Sequence, residues 1–259
     1  MNRPGSTAPT LYLRNLMRPV SRVRYLVWRV AGAKRSLTVQ LSGGPRLVIR
    51  PAPAGDLSVA HEIFVQELYR SPRPLASESV RRIVDVGANV GYAISYFAHS
   101  FPAAAIVAFE PHPAHLSQIA QNLAANRLEG RVTIVPAAAG VATGQAFLTD
   151  SGEASHLVVE AKNGQIPVPV VDFFATVGEG PIDLLKMDCE GAEYDLLIDD
   201  RFATLNPRGL VLEWHTSRER PHADEAICAR LTNLGFVIEK VMEYSIEGNR
   251  FGLLWAYPS

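Results

Sequence analysis

The sequence predicts an α/β protein built on a mainly parallel sheet with helices on both faces. Three observations carry that prediction. From residue 82 onward, short apolar runs alternate with helix-period segments. Those runs (RIVDV, AIVAF, VTIV, DLLKM, LVLEW) are apolar almost throughout, as strands covered on both faces are. The last two runs, FVIEKVME and FGLLWAYP, are separated only by YSIEGNR, too short for a parallel crossover, so the final strand is expected to run antiparallel.

The elements follow in order. Residues 1–10, rich in Gly, Pro, Ser and Thr, read as disordered. LYLRNLMRPVSRVRYLVWRV mixes apolar residues with arginines, and Pro19 divides it into two short helices. SLTVQLSGGPRLVIR alternates on each side of Ser42-Gly43-Gly44-Pro45, a hairpin pattern. Asp56 is placed to cap the helix LSVAHEIFVQELY, whose Val59, Ile63, Phe64 and Leu68 share one face. RIVDVG then leads into a helix from about Tyr92, AIVAFEP into the helix AHLSQIAQNLAANR, and RVTIVPAA closes the first half. Across 141–178 the alternation lapses, and GQAFLTD, SHLVVEA and QIPVPVVDFFATV read as short strands with one helical turn. It resumes with IDLLKMDCEG, a helix near 191–199, GLVLEWH and a helix over about 223–234. Three parts result: a basic, partly helical extension (1–36), a hairpin and helix (37–80), and the main domain (81–259).

Composition bounds the function. With 47% hydrophobic and 20% charged residues, the chain has ample core for a soluble globular protein. Cys189 and Cys228 have no metal or redox spacing, so a reducing, cytoplasmic setting is expected. No signal peptide is evident, because arginines interrupt the N-terminal apolar runs. Residues 86–109 lack Asp, Glu, Lys and Arg, but two glycines, Asn89, His99 and Pro102 break them into strand, loop, helix and strand, unlike a spanning helix. Charge is uneven: ten Lys or Arg and no acid precede Asp56, leaving fifteen basic and twenty-six acidic residues beyond. The basic N-terminus has three readings: weak contact with an anionic membrane surface, binding of an acidic partner, or packing as a lid or subunit arm. The last is favoured. Nucleic acid is not expected, since the body is acidic and no reader module is visible.

In an open parallel sheet, ligands bind beyond the carboxyl ends of the strands. The first strand ends in D-x-G-x-x-x-G, Asp85 to Gly91, where two glycines let the backbone tighten and approach a ligand. The dinucleotide fingerprint is absent: Asn89 stands where a middle glycine would admit a pyrophosphate, and no P-loop lysine follows. A nicotinamide-dependent oxidoreductase is therefore disfavoured. S-adenosylmethionine (SAM) has no diphosphate and fits better. Glu110, nineteen residues after Gly91, closes the second strand where a carboxylate can accept both hydroxyls of a ribose diol. Small residues around Ala138 leave room for an adenine edge. Asp188 and Glu190 in KMDCEG reach the same sheet edge.

VDVGANVGYAISYFA, VAFEPHPAHLSQIAQNLAAN, IDLLKMDCEGAEYDLL and GLVLEWH resemble the FkbM-type family of SAM-dependent methyltransferases over roughly residues 38–257. The resemblance implies a class I, Rossmann-like methyltransferase fold, a seven-stranded sheet with an antiparallel last strand. It implies methyl transfer, usually to oxygen, on small-molecule, natural-product or glycan hydroxyls, with S-adenosylhomocysteine as product. It carries the cofactor turn onto Asp85, Gly87, Ala88, Asn89 and Gly91, the ribose-binding strand end onto Glu110 and Pro111, and the acidic motif onto Asp188 and Glu190. Cys189 departs from the family's usual apolar residue and reads as a small buried side chain.

A hydroxyl acceptor benefits from a base. His215, directly after the fifth strand, is the first candidate, as a neutral imidazole. Asp188 is the alternative, or the partner of the cofactor's ammonium. Glu213, at a buried strand end, needs a partner: Lys186, the substrate or His215. Tyr69 reads as core packing within plausible reach of the cofactor mouth, and His112 and His115 as helix surface. A divalent metal on Asp188, Glu190 and Glu193 is disfavoured, because no Asp-Asn pair follows the fifth strand. A SAM-binding scaffold without catalysis is the alternative function.

Overall fold

The computed structural model describes residues 9–51, 54–148, 157–158, 165–217, 220–246 and 249–259. The reading of residues 1–8, and most of that for SHLVVEA, lies outside them. Pro9 and Thr10, read as disordered, instead open helix α1 (Pro9–Leu16), and Pro19 opens α2 (Pro19–Val30). Proline suits a helix start because its missing N–H would be unpaired there anyway. β1 (Leu37–Gln40) and β2 (Arg46–Ile49) form the expected hairpin. In α3 (Asp56–Phe64) the sequence expectation fails at Asp56, because Gly55 precedes the helix and the carboxylate turns to Arg50. It accepts the Arg50 backbone N–H at 2.6 Å and the guanidinium at 2.7 Å. The helix also stops at Phe64, so Leu68 and Tyr69 follow in a turn.

The main domain runs β3 (Arg82–Val86), α4 (Tyr92–Ser100), β4 (Ala105–Phe109), α5 (Pro113–Asn126) and β5 (Val132–Val135). β6 (Ala138–Gly140), β7 (Gly144–Leu148), β8 (Leu157–Val158) and β9 (Ile166–Asp172) form a second sheet, followed by α6 (Phe173–Val177). The chain then returns through β10 (Leu184–Met187), α7 (Ala192–Ile198), α8 (Phe202–Leu205), β11 (Leu210–His215), α9 (Ala223–Asn233), β12 (Phe236–Ile246) and β13 (Asn249–Pro258).

The seven-stranded sheet has the order β12-β13-β11-β10-β3-β4-β5. β13 is antiparallel to both neighbours and the other pairings are parallel, as predicted. From β3 the chain winds outward through β4 and β5, then restarts on the other side at β10. The gap above β3 and β10 is therefore the switch point at which such sheets bind ligands.

Strand alternation sends Ile83, Ile106, Leu184 and Val211 into one core, and Val84, Leu185, Leu210 and Leu212 into the other. The first core also contains Leu13, Leu16, Tyr25, Val39 and Leu47, so the described part of the N-terminal extension is built into the body. Buried amides fix it there. Asn122 accepts from Val48 N and donates to Val90 O, both at 2.8 Å, while the Tyr92 hydroxyl donates to Val48 O at 2.9 Å.

Candidate active site

The turn after β3 is shaped by backbone constraints. At Gly87 φ is +86°, and an added Cβ would stand 1.8 Å from the Asp188 carbonyl oxygen, so only glycine fits. Asn89 is left-handed too (φ 50°), a conformation that asparagine tolerates better than most residues. Its N–H donates to Glu110 Oε2 at 2.8 Å. Glu110 Oε1 accepts the His112 N–H at 2.8 Å and stands 3.2 Å from His115 Nδ1. The carboxylate that closes β4 thus holds the turn that closes β3.

A solvent-open crevice lies at this switch point, lined by Gly87, Asn89, Glu110, Pro111, Ala138 and Asp188 among others. Ala137, Ala138 and Ala139 make one wall of minimal bulk, with Phe109, Val86 and Leu148 beside them. That combination fits a nucleoside: a flat apolar slot next to a carboxylate with lone pairs for a diol. Three residues predicted to touch cofactor do not line the crevice. Ala88 and Gly91 sit behind the turn, where Ala88 N donates to Phe109 O and Gly91 opens α4 against Ile119. Asp85 lies beneath it, fully buried.

His112 and His115 also depart from expectation, since both line the crevice instead of the helix exterior. Pro113 starts α5 at the sheet edge, and His112 caps it by accepting the Ala114 N–H, which hangs the first turn over the pocket. Their rings stack at 4.5 Å.

Asp85 and Lys186 are register partners on β3 and β10, both buried. The Lys186 ammonium stands 3.0 Å from Asp85 Oδ1, 3.6 Å from Asp188 Oδ2 and 2.5 Å from the Gly87 carbonyl oxygen it donates to. Burial pushes the Asp85 carboxyl up while Lys186 pulls it down. Burial opposes the Lys186 charge as well, but Asp85 and Asp188 outweigh it and hold the ammonium well above its ordinary range. With two carboxylates facing one ammonium, the ionised pair is the state the contacts support. Lys186 is accordingly the partner of Asp85, and not of Glu213.

Asp188 joins this crevice to a second group. Asp188, Glu213 and His215 bring ligand-capable atoms within 4.8 Å of one another. The Tyr69 hydroxyl donates to Asp188 Oδ2 at 3.2 Å, so this buried core residue also reaches the site. His215 Nδ1 is 3.0 Å from Glu193 Oε1, and its Nε2 is 3.7 Å from Glu190 and 3.8 Å from Glu213. Glu193 is itself fully buried and accepts the Gly191 N–H at 2.8 Å.

Burial disfavours the charged imidazole, yet the Glu193 hydrogen bond and the surrounding carboxylates overcome it and lift His215 to about 10. A ring protonated at neutral pH does not fit the expected neutral imidazole base. Burial and the Asp188 charge meanwhile push Glu213 up to about 8, against the pull of His215. Burial and the Glu193 charge push the Cys189 thiol up too, which disfavours its thiolate; its Sγ lies 3.5 Å from Glu193.

The model of the methyltransferase FkbM domain matches residues 85–238, from the cofactor turn to β12. The chain belongs to the FkbM methyltransferase family. Methyltransferase 1 of Beauveria bassiana (strain ARSEF 2860) is 28% identical over 192 residues, 62% of this chain and 75% of that protein. Methyltransferase sdnD of Sordaria araneosa is 30% identical over 196 residues, 61% of this chain and 74% of that protein. Among solved structures, a transferase of Pyrococcus horikoshii shares the fold at a TM-score of 0.51 and 13% identity, covering 98% of this chain and 96% of its own. This FkbM methyltransferase is SAM-dependent, and Gly87, Asn89, Glu110, Pro111, Ala138 and Asp188 line a crevice that could hold SAM.

Proposed function

We propose that this FkbM enzyme methylates a hydroxyl oxygen on a small molecule, sugar or natural product, with Glu213 as the general base. Bound SAM supplies an electrophilic methyl group. A neutral hydroxyl that attacks it must shed its proton, and a positioned base speeds such a step by about 10²- to 10⁴-fold. The observation that carries this reading is the position of Glu213, clustered with Asp188 and His215 within 4.8 Å, with Asp188 also lining the crevice; burial and the Asp188 charge raise its carboxyl to about 8. A base poised near neutral pH can take the acceptor's proton and still release it afterwards. His215, oriented by Glu193, supplies a positive charge beside the developing alkoxide. Labelled SAM incubated with a panel of sugars and natural-product alcohols tests the reading. The product should be a methyl ether stable to alkali; an alkali-labile methyl ester or an N-methyl product contradicts it. No transfer to any acceptor, with SAM binding intact, favours the scaffold reading.

The Asp188–Glu213–His215 cluster favours a second reading, a divalent ion that polarises the acceptor. It differs from the expected Asp188, Glu190 and Glu193 set, because Glu193 is occupied by His215 and Gly191. Lys186 and protonated His215 already bring positive charge to the cluster, so a cation is not needed for balance. Activity should therefore survive exhaustive treatment with a chelator. A loss restored by Mg²⁺ or Mn²⁺ would establish the metal-assisted route.

A further inference from the structure

The described part of the N-terminal extension leaves one feature that methyl transfer does not use. α2 buries Ser21 and Tyr25 against the body, where the Ser21 hydroxyl accepts the Gln40 N–H at 2.8 Å. Its opposite face is apolar and exposed: Val20 by 73%, Val23 by 62%, Leu26 by 48%, Val27 by 63% and Val30 by 90%. On a helical projection these five residues fall within an arc of about 120°. Arg24 flanks the arc on one side, Arg22 and Arg29 on the other. Four of the five are valines, which weaken a helix relative to straight-chain residues. A water-facing surface gives them nothing to pack on.

We infer that α2 is an interfacial helix that docks this enzyme on an anionic lipid surface. Apolar stripe, arginine flanks and modest length match a helix lying flat, with its valines in the acyl boundary and its guanidinium groups at the headgroups. Twelve residues span only about 18 Å, too short to cross a bilayer, and no described helix is long and apolar enough to do so. Charge selects the occupant. No Asp or Glu precedes Asp56, so two copies meeting through this face would bring arginines against arginines, whereas phosphatidylserine headgroups would complement them. The lid reading also loses ground: no residue of Leu13–Val30 lines the crevice. α2 instead packs on the β1–β2 hairpin, which buried amides fix to α5.

Full-length protein should be co-sedimented with vesicles of phosphatidylcholine alone, and of roughly three parts phosphatidylcholine to one part phosphatidylserine. Binding is expected only with phosphatidylserine and should weaken as salt rises. Removing Arg22 or Arg29 (R22Q, R29Q) should each cost about fivefold in vesicle affinity. Val23→Asp with Val27→Asp should reduce it more than tenfold. Because both valines face outward, SAM affinity and melting temperature should match wild type, which separates lost docking from lost folding. Three results would overturn the proposal: no sedimentation with phosphatidylserine at low salt, equal sedimentation of the double aspartate variant, or a wild-type dimer that this variant splits in light scattering.

Discussion

Lys186→Met should lose roughly 3–5 kcal/mol of folding stability at neutral pH, the cost of stranding a buried charge. Asp85 is fully buried, and the ammonium 3.0 Å away offsets its desolvation. Methionine matches the lysine stem but brings no charge. The loss is large against the 5–15 kcal/mol of about a typical domain. Asp85→Asn added to Lys186→Met removes the stranded charge and should recover at least half of it. Urea denaturation of both variants measures this. A Lys186→Met loss near that of an ordinary surface substitution, or a double variant no better than the single, would contradict the ionised pair. The same lysine donates to the Gly87 carbonyl, so weaker SAM binding should accompany the loss.

Glu213→Gln should lower kcat by about 10²- to 10⁴-fold while leaving SAM affinity unchanged. Glutamine keeps the shape but cannot take a proton. In the wild-type enzyme the rate should rise with pH as Glu213 ionises near 8 and fall as His215 loses its proton near 10. The rising limb belongs to the base because Glu213 acts only when deprotonated; the falling limb belongs to His215 because its charge is lost above its pKa. Glu213→Gln should flatten the rising limb. If His215 were the neutral base instead, activity would increase through about 10, and His215→Gln would carry the larger loss.

The crevice at the switch point was legible because its residues are strand-end signals. A glycine that only a left-handed, sterically closed turn requires, an acid closing the next strand and small residues after the third are all written locally in the chain. What failed was pairing across strands. Lys186 and Asp85 are 101 residues apart and meet only through the β3–β10 register. Glu193 read as one more acid near a sheet edge, yet a single turn of α7 carries it fully into the core beneath His215. His112 and His115, one turn apart, say nothing about which side of α5 faces the sheet edge. The reading of His215 as a neutral base rested on histidine's ordinary pKa, which Glu193, Glu190 and Asp188 raise. In α2, apolar residues lie on both faces, so periodicity alone could not tell the buried face from the exposed one.

SAM is expected to bind in the crevice between the Asn89 turn and Glu110. Calorimetric titration of SAM into wild type and Glu110→Ala tests it most directly, with NAD as the control ligand and melting curves to verify the fold. Wild type should bind SAM and ignore NAD, and loss of the carboxylate should weaken SAM by roughly 10- to 100-fold, the worth of hydrogen bonds to a charged acceptor. A folded Glu110→Ala protein that binds SAM as tightly as wild type, or a wild type that gives no heat with SAM, would contradict it.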